Sequence, residues 1–206
     1  MELPEEILSI TEKIKKSELN WKMRYCVCWM QSYPLKEELE KNPERGKDKV
    51  TLNLPAFKRK PDLTKEEYYK ELTSNDIPFT LEHLVILFAL FDELKTTASK
   101  ILGKGETEKT SHKEELKLAR ETRNCYVHNG SRIDRKWIDA YKQARNKDAK
   151  EGERISNSLP EFYYQIEKWH DLIIELTDEI ETKIKNTKAT TPPRHLHNQR
   201  LSASKR

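Results

Sequence analysis

The sequence predicts an all-α protein, and three observations lead to this prediction. Charged residues make up 36% of the 206-residue chain and only 5 residues are glycine, a composition that favours long amphipathic helices. Apolar residues recur at three- and four-residue spacing over most of the chain. Signals for helix caps lie between these apolar rows. We therefore expect an up-and-down bundle of four to five main helices, forming one domain over residues 1–186.

The first helix is predicted over about residues 4–16, because Ile7, Ile10 and Ile14 recur at helical spacing. Residues 21–30 fit two patterns, since their apolar residues alternate as in a strand but also recur at helical spacing. No partner strand is evident elsewhere in the sequence. We therefore interpret this stretch as helix.

An irregular insertion is predicted over residues 41–63, which hold several prolines and a glycine among many lysines. A short extended piece is expected within it at residues 50–54. Thr64 and Glu67 then form a capping box, in which each side chain accepts a hydrogen bond from the other residue's backbone N–H. A short helix should follow and run to about Leu72.

The central helix is predicted from Leu81 to Leu94, where apolar residues occupy nearly every side, and Gly103 should end it. A second capping box, from Ser111 to Glu114, should open the next helix. Asn129 and Gly130 follow that helix, and a left-handed cap is expected there.

Two further helices complete the prediction. Asp134 should cap a helix with Trp137, Ala140, Tyr141 and Ala144 on one face. Pro160 should start the longest helix, whose predicted buried row is Phe162, Ile166, Trp169, Ile173, Leu176, Ile180 and Ile184. Residues 187–206 are basic, with Pro192 and Pro193 and no acidic residue, and we expect them to be a disordered tail.

Charge and cysteine content exclude several classes of protein. A net charge of +4 is too small for a polycation that coats nucleic acid indiscriminately. Cys26, Cys28 and Cys125 are odd in number and lack a C-x-x-C pair, which argues against a disulfide framework and a structural zinc site. No apolar run reaches the ~18 residues of a membrane span. We expect a cytoplasmic protein without a membrane partner.

The segment richest in chemical groups is residues 121–130, late in the helix that ends at Asn129. On a helical wheel at ~100° per residue, Leu118, Ala119, Thr122, Cys125 and Tyr126 fall on one side, which should face the core. Arg123 and His128 lie at the two borders of the outer face, roughly 140° apart. Val127 is an apolar residue on this outer face, which indicates contact with another surface.

These residue types suit cleavage of a phosphodiester. An imidazole moves a proton near neutral pH, and a guanidinium holds phosphate oxygens by paired hydrogen bonds. His128 is therefore the candidate acid or base, and Arg123 the group that stabilises the transition state. Asn124 and Glu121 are candidate supporting residues that could orient the imidazole. This chemistry requires no metal ion and no cofactor.

The string from Glu121 to Gly130, late in an amphipathic helix, resembles the HEPN superfamily, whose hallmark is Arg, a polar residue, a few variable residues and His. The resemblance covers residues 79–186. It implies a helical bundle with metal-independent endoribonuclease activity and an RNA substrate, and a homodimer through the motif face. It further implies that Arg123 and His128 are catalytic, with Asn124 and Glu121 in the polar and acidic positions.

Three other interpretations stay open. Arg123 and His128 could belong to an ordinary solvated helix end, where a late histidine complements the helix dipole. The chain could be a catalytically inactive HEPN-like module that binds a protein, RNA or nucleotide through the same face. It could also be a toxin held inactive by an antitoxin or another regulatory protein. Outside the motif, His83 and His170 are interpreted as packed or surface groups. His195 and His197 lie in the tail, without a third metal ligand.

Overall fold

A computed structural model describes residues 2–50, 62–74, 76–103, 105 and 112–190. The described residues form helices and connecting turns, with two isolated bridges and no strand. The α-helices are α1 (Glu5–Lys41), α2 (Lys65–Ser74), α3 (Asp76–Leu102), α4 (Lys113–Asn129), α5 (Arg135–Arg145), α6 (Ile155–Ser158) and α7 (Phe162–Thr190). The predicted all-α class is confirmed, and the five longest of these helices correspond to the four to five main helices expected.

One continuous helix occupies most of the first 41 residues. Sequence patterns indicated a helix over 4–16 and an ambiguous stretch over 21–30, whereas α1 runs unbroken through both and contains Pro34. Its buried row continues from Ile7, Ile10 and Ile14 to Trp21. The alternating apolar residues of 21–30 belong to this helix, and several of them are exposed to solvent.

The segment after α1 begins with a 3-10 helix, Pro43–Lys47. Lys49 and Thr64 form an isolated antiparallel bridge, and Val50 N donates to Leu63 O over 2.9 Å. Of the extended piece expected at 50–54, residues 51–54 lie outside the described part of the chain. The predicted capping box is present, because Thr64 N donates to Glu67 Oε2 (2.8 Å) and Glu67 N donates to Thr64 Oγ1 (3.2 Å). Helix α2 extends two residues beyond the predicted Leu72.

Helix α3 is longer than predicted at both ends, spanning Asp76–Leu102 rather than 81–94. Pro78 lies in its first turn, where a missing N–H breaks no helical hydrogen bond. At the other end Gly103 has a φ of 86°, and its N–H donates to Ser99 O. The predicted glycine stop is therefore confirmed.

Helices α5 and α7 follow the predicted patterns of buried residues, but the prediction that the last helix is the longest was wrong, because α1 has 37 residues and α7 has 29. Asp134 caps α5 by accepting a hydrogen bond from Trp137 N over 2.9 Å. All seven residues of the predicted row on α7 are buried. The disordered tail was predicted from residue 187, but the backbone of α7 stays helical to Thr190, because Thr187 and its neighbours continue the turns begun by the buried row. Residues 191–206 lie outside the described part.

Two ion pairs give the relative direction of α1 and α7. Lys15 pairs with Asp178 (2.8 Å) and Lys22 with Glu167 (2.5 Å), so α1 and α7 are antiparallel. The core between them is filled mainly by α3, whose fully buried residues include Leu84, Leu87, Phe88 and Phe91. Within the described ranges, no helix combines the length and apolar character that a bilayer span requires.

Candidate functional site

The motif lies in the second half of α4, and the helical wheel places its inner side correctly. Leu118, Ala119, Thr122 and Cys125 are completely buried, and Tyr126 is half-buried against the core. Burial raises the pKa of the Cys125 thiol to about 11. This cysteine is therefore a neutral core residue and no candidate nucleophile.

Two features anchor the carboxyl-terminal end of α4. Gly130 adopts a left-handed conformation (φ 57°, ψ 42°) and closes the helix as predicted. About two turns inside the helix, Trp137 Nε1 on α5 donates a 2.8 Å hydrogen bond to Thr122 Oγ1. Because both groups are buried, this bond ties the residue next to Arg123 to the neighbouring helix.

The amino-terminal end of α4 differs from the prediction. Ser111, the expected cap, lies outside the described residues, and His112 occupies the N-cap position without a side-chain capping bond in the described part. The side chain of Glu115 links this end of α4 to two neighbouring helices instead. Its carboxylate receives both Nη groups of Arg145 from α5 and, over 3.0 Å, the Nε1–H of Trp169 from α7. Burial alone would raise the pKa of Glu115, but these hydrogen bonds outweigh burial and hold it below its ordinary value.

Arg123 is half-buried, and its Nε–H is the feature of the motif that lacks an explanation within the fold. The Nε atom is shielded from solvent, yet it has no hydrogen-bond partner among the described residues. A buried N–H without an acceptor costs about 1–3 kcal/mol, and buried polar groups in native proteins usually bond to a protein group, an ordered water or a bound ion. A bound anion would be such an acceptor.

The two supporting residues contact each other. Asn124 Nδ2 donates to Glu121 Oε2 over 3.3 Å, one turn apart on the same helix. The motif pattern predicts that both residues act on His128. Within the described part, however, no hydrogen bond joins either of them to the imidazole. Glu121 and Asn124 are thus brought together by a hydrogen bond in which His128 takes no part.

His128 lies in the last turn of α4 and is exposed to solvent, as is Val127 beside it at 49%. Asn129 Nδ2, in the same turn, donates to Asp134 Oδ2 over 3.0 Å. The outer face of the helix end is thus open to solvent at the histidine and half-buried at the arginine.

The described residues also contain clefts away from the motif. One, of about 260 Å³, lies between α1 and α7 and is bordered by Trp21, Tyr25, Tyr163 and Tyr164. A second lies between the same helices near Lys15 and Asp178. Sequence patterns could not reveal either, because each is formed by residues more than a hundred positions apart.

A buried histidine pair is the second feature that sequence analysis missed. His83 Nε2 on α3 and His170 Nδ1 on α7 are 3.0 Å apart, and the Trp21 ring stacks on His83 with ring centroids 4.9 Å apart. His170 Nε2 faces Glu18 Oε2 at 3.9 Å. Burial, with a contribution from His170, lowers the pKa of His83 to about 3. We assign both rings as neutral, with His83 donating to His170.

The described part of the chain holds no group of three His, Cys, Asp or Glu side chains placed to bind a metal ion. His195 and His197 fall outside that part.

No family model, curated protein or solved structure matches this chain. The interpretation of the motif therefore depends on the residues themselves and on their surroundings. Among those surroundings, Arg123 Nε is buried and has no acceptor in the described part of the chain.

Proposed function

We propose that this protein is a metal-independent endoribonuclease of the HEPN type, which cleaves RNA by attack of a 2′-hydroxyl on the adjacent phosphate. The observation that carries the proposal is Arg123, whose buried Nε–H lacks an acceptor among the described residues and lies five residues before an exposed histidine. A phosphate oxygen supplies the missing acceptor, because guanidinium groups bind phosphate by parallel hydrogen bonds.

In the proposed reaction His128 removes the proton from the 2′-hydroxyl, and the 2′-oxygen forms a bond to phosphorus. The bond from phosphorus to the 5′-oxygen breaks, which leaves a 2′,3′-cyclic phosphate and a 5′-hydroxyl. Arg123 stabilises the charge that develops on the non-bridging oxygens. The departing 5′-oxygen takes a proton from a second acid, either water or another imidazolium.

A second copy of the chain is part of the proposal. Five residues along a helix separate Arg123 and His128 by roughly 7.5 Å in height and ~140° in angle, so the two groups diverge on one helix. Two copies of the motif face would let an arginine and a histidine from different chains meet at one phosphate. Val127, exposed between them, would be covered in that dimer. A cytoplasmic role in defence, in a toxin–antitoxin pair or in RNA processing belongs to the same proposal.

The experiment compares cleavage of structured RNAs in EDTA by the wild type and by Arg123→Ala and His128→Ala. Arg120→Ala is the matched control, because Arg120 lies on the same helix and pairs on the surface with Asp92 at 3.1 Å. Loss of cleavage and of the cyclic phosphate product in the two motif variants alone supports the proposal. Equal cleavage by all four proteins, or loss on chelation, contradicts it. A 2′-deoxy substitution at the scissile nucleotide should abolish the reaction.

A second candidate is an inactive module that binds RNA or a protein through this face. The contact between Asn124 and Glu121 favours it, because the two residues expected to support the imidazole bond each other. RNA binding that Arg123→Ala weakens, without turnover by the wild type, would select this candidate. Toxicity on expression, relieved by His128→Ala and by a co-expressed partner protein, would point to a toxin.

A further inference from the structure

Helix α1 carries an apolar row on the side that faces away from the core. The row consists of Leu19, Met23, Cys26, Met30 and Tyr33, and every member is exposed. At ~100° per residue this row lies roughly 150° from the buried row that ends at Trp21. The exposed residues therefore do not lie at the margin of the buried row, since the helix has a second, separate apolar side.

The spacing of this row is the spacing of a helix-pairing seam. Its members follow one another at intervals of four, three, four and three residues, which is the heptad repeat of positions that contact a partner helix. The row stays within one unbroken helix and spans roughly 21 Å along its axis. Charged residues lie on the same side before and after it, at Lys15 and Glu37, so the apolar row has defined ends.

The exposed area is large for a free surface. Leu19, Met23, Met30 and Tyr33 are 61%, 57%, 66% and 48% exposed, and Val27 and Trp29 flank them at 51% and 55%. With ~200 Å² for a large side chain, six half-exposed residues make a patch on the order of 600 Å². This is comparable to the ~800 Å² that each partner contributes to a standard interface.

The charges identify the kind of partner that fits. Between Leu19 and Tyr33 the sequence has two basic residues and no acidic one. Lys22 is already neutralised within its own chain, by Glu18 at 2.6 Å and Glu167 at 2.5 Å, and Arg24 lies ~140° from the centre of the row. An uncharged row is complementary to a copy of itself, because pairing buries no ion that lacks a partner.

We infer that two copies of this protein pair through the Leu19–Tyr33 row of α1. Cys26 is the middle residue of the row, so any two-fold arrangement that overlaps the full rows brings the two Cys26 side chains close together. The aromatic cleft beside Trp21 and Tyr25 borders the same helix and could receive side chains from the partner. This pairing involves α1, whereas the proposed catalytic dimer involves α4. A chain that uses both surfaces forms an assembly larger than a dimer.

The test compares molar mass in solution, by light scattering at high micromolar protein concentration, for the wild type and Met23→Glu/Met30→Glu. Both methionines are exposed, so retained helical circular dichroism is expected. Ile86→Glu is the matched control, because Ile86 is an exposed apolar residue (51%) on α3. We expect the double variant to halve the mass and Ile86→Glu to leave it unchanged. A wild type of 24.5 kDa, or a mass that the double variant does not alter, overturns the inference.

Cross-linking provides a second measurement that does not require the glutamate variants to fold. A short bis-maleimide should join two wild-type chains and two Cys28→Ser chains, but not two Cys26→Ser chains. Cross-linking that persists in Cys26→Ser would overturn the inference. So would a wild-type monomer that binds phospholipid vesicles through α1. These results are independent of RNA cleavage, so pairing through α1 and the proposed nuclease activity can fail separately.

Discussion

The indole of Trp137 donates a 2.8 Å hydrogen bond to Thr122 Oγ1 in the core, directly beside Arg123 in sequence. Thr122 also donates to Leu118 O over 2.9 Å, so its hydroxyl links the turns of α4 to α5. The backbone next to the half-buried Arg123 is thus fixed by a buried hydrogen bond of the neighbouring residue, Thr122.

Thr122→Val should lower the free energy of unfolding by about 1–3 kcal/mol, because the buried indole N–H loses its acceptor. Thr122→Ser keeps the hydroxyl and should cost less. Thr182→Val is the matched control, since Thr182 bonds only its own helix, at Asp178 O, and is exposed. Urea unfolding of the three variants provides the comparison. Equal losses for Thr122→Val and Thr182→Val would contradict the role assigned to the indole bond.

Arg145→Gln should destabilise the protein by about 2–3 kcal/mol, because it leaves the partly buried Glu115 carboxylate without its main partner. The pair is only 22–23% exposed. Lys142→Gln on the same helix removes an ion pair with Asp148 whose side chains are 60% and 79% exposed, and it should change stability by less than about 0.5 kcal/mol. Thermal unfolding of both variants checks this. A loss for Lys142→Gln as large as for Arg145→Gln would be inconsistent with the structure.

The buried histidine pair should make the protein sensitive to acid. The pKa of His83 is lowered from 6.5 to about 3 and that of His170 is also lowered, chiefly by burial. The stability of the neutral pair is therefore fully present above about pH 6.5 and is lost as the pH falls toward 3, by up to about 1.4 kcal/mol per pH unit for each histidine.

The measurement is the free energy of urea unfolding at several pH values for the wild type and for His83→Gln/His170→Gln. The double variant keeps polar side chains at both positions but cannot be protonated there. It should lose less stability between neutral and mildly acidic pH than the wild type does. The same pH dependence in both proteins would exclude the pair as its source.

Cys125 should resist alkylation in the folded protein. Burial raises its pKa to about 11, so at pH 8 roughly one thiol in a thousand is ionised, and none of its surface is exposed. Mass spectrometry after a short iodoacetamide treatment should find Cys125 unmodified in native protein and modified in urea. Rapid alkylation of Cys125 without denaturant would show that the end of α4 opens, and that the motif is less firmly held than the structure indicates.

Much of the fold could be predicted from local patterns. The capping box at Thr64, the cap at Asp134 and the stop at Gly103 were all recognisable, since each depends on residues a few positions apart. The errors were at helix ends. Helix α3 begins before Pro78, and α7 continues beyond residue 186, because a helix supported by a packed core continues past the last apolar residue of its row.

The candidate site also has features that the sequence determines and features that only the tertiary structure determines. Helical periodicity alone determined that Thr122 and Cys125 face the core and that Arg123 and His128 lie at the borders of the outer face, because a helix repeats every 3.6 residues whatever surrounds it. Only the tertiary structure decided that Arg123 Nε is buried without an acceptor among the described residues, that His83 meets His170, and that the described part of the chain leaves one side of α1 exposed. These features depend on how helices distant in sequence pack together, and periodicity within a single helix carries no information about its neighbours.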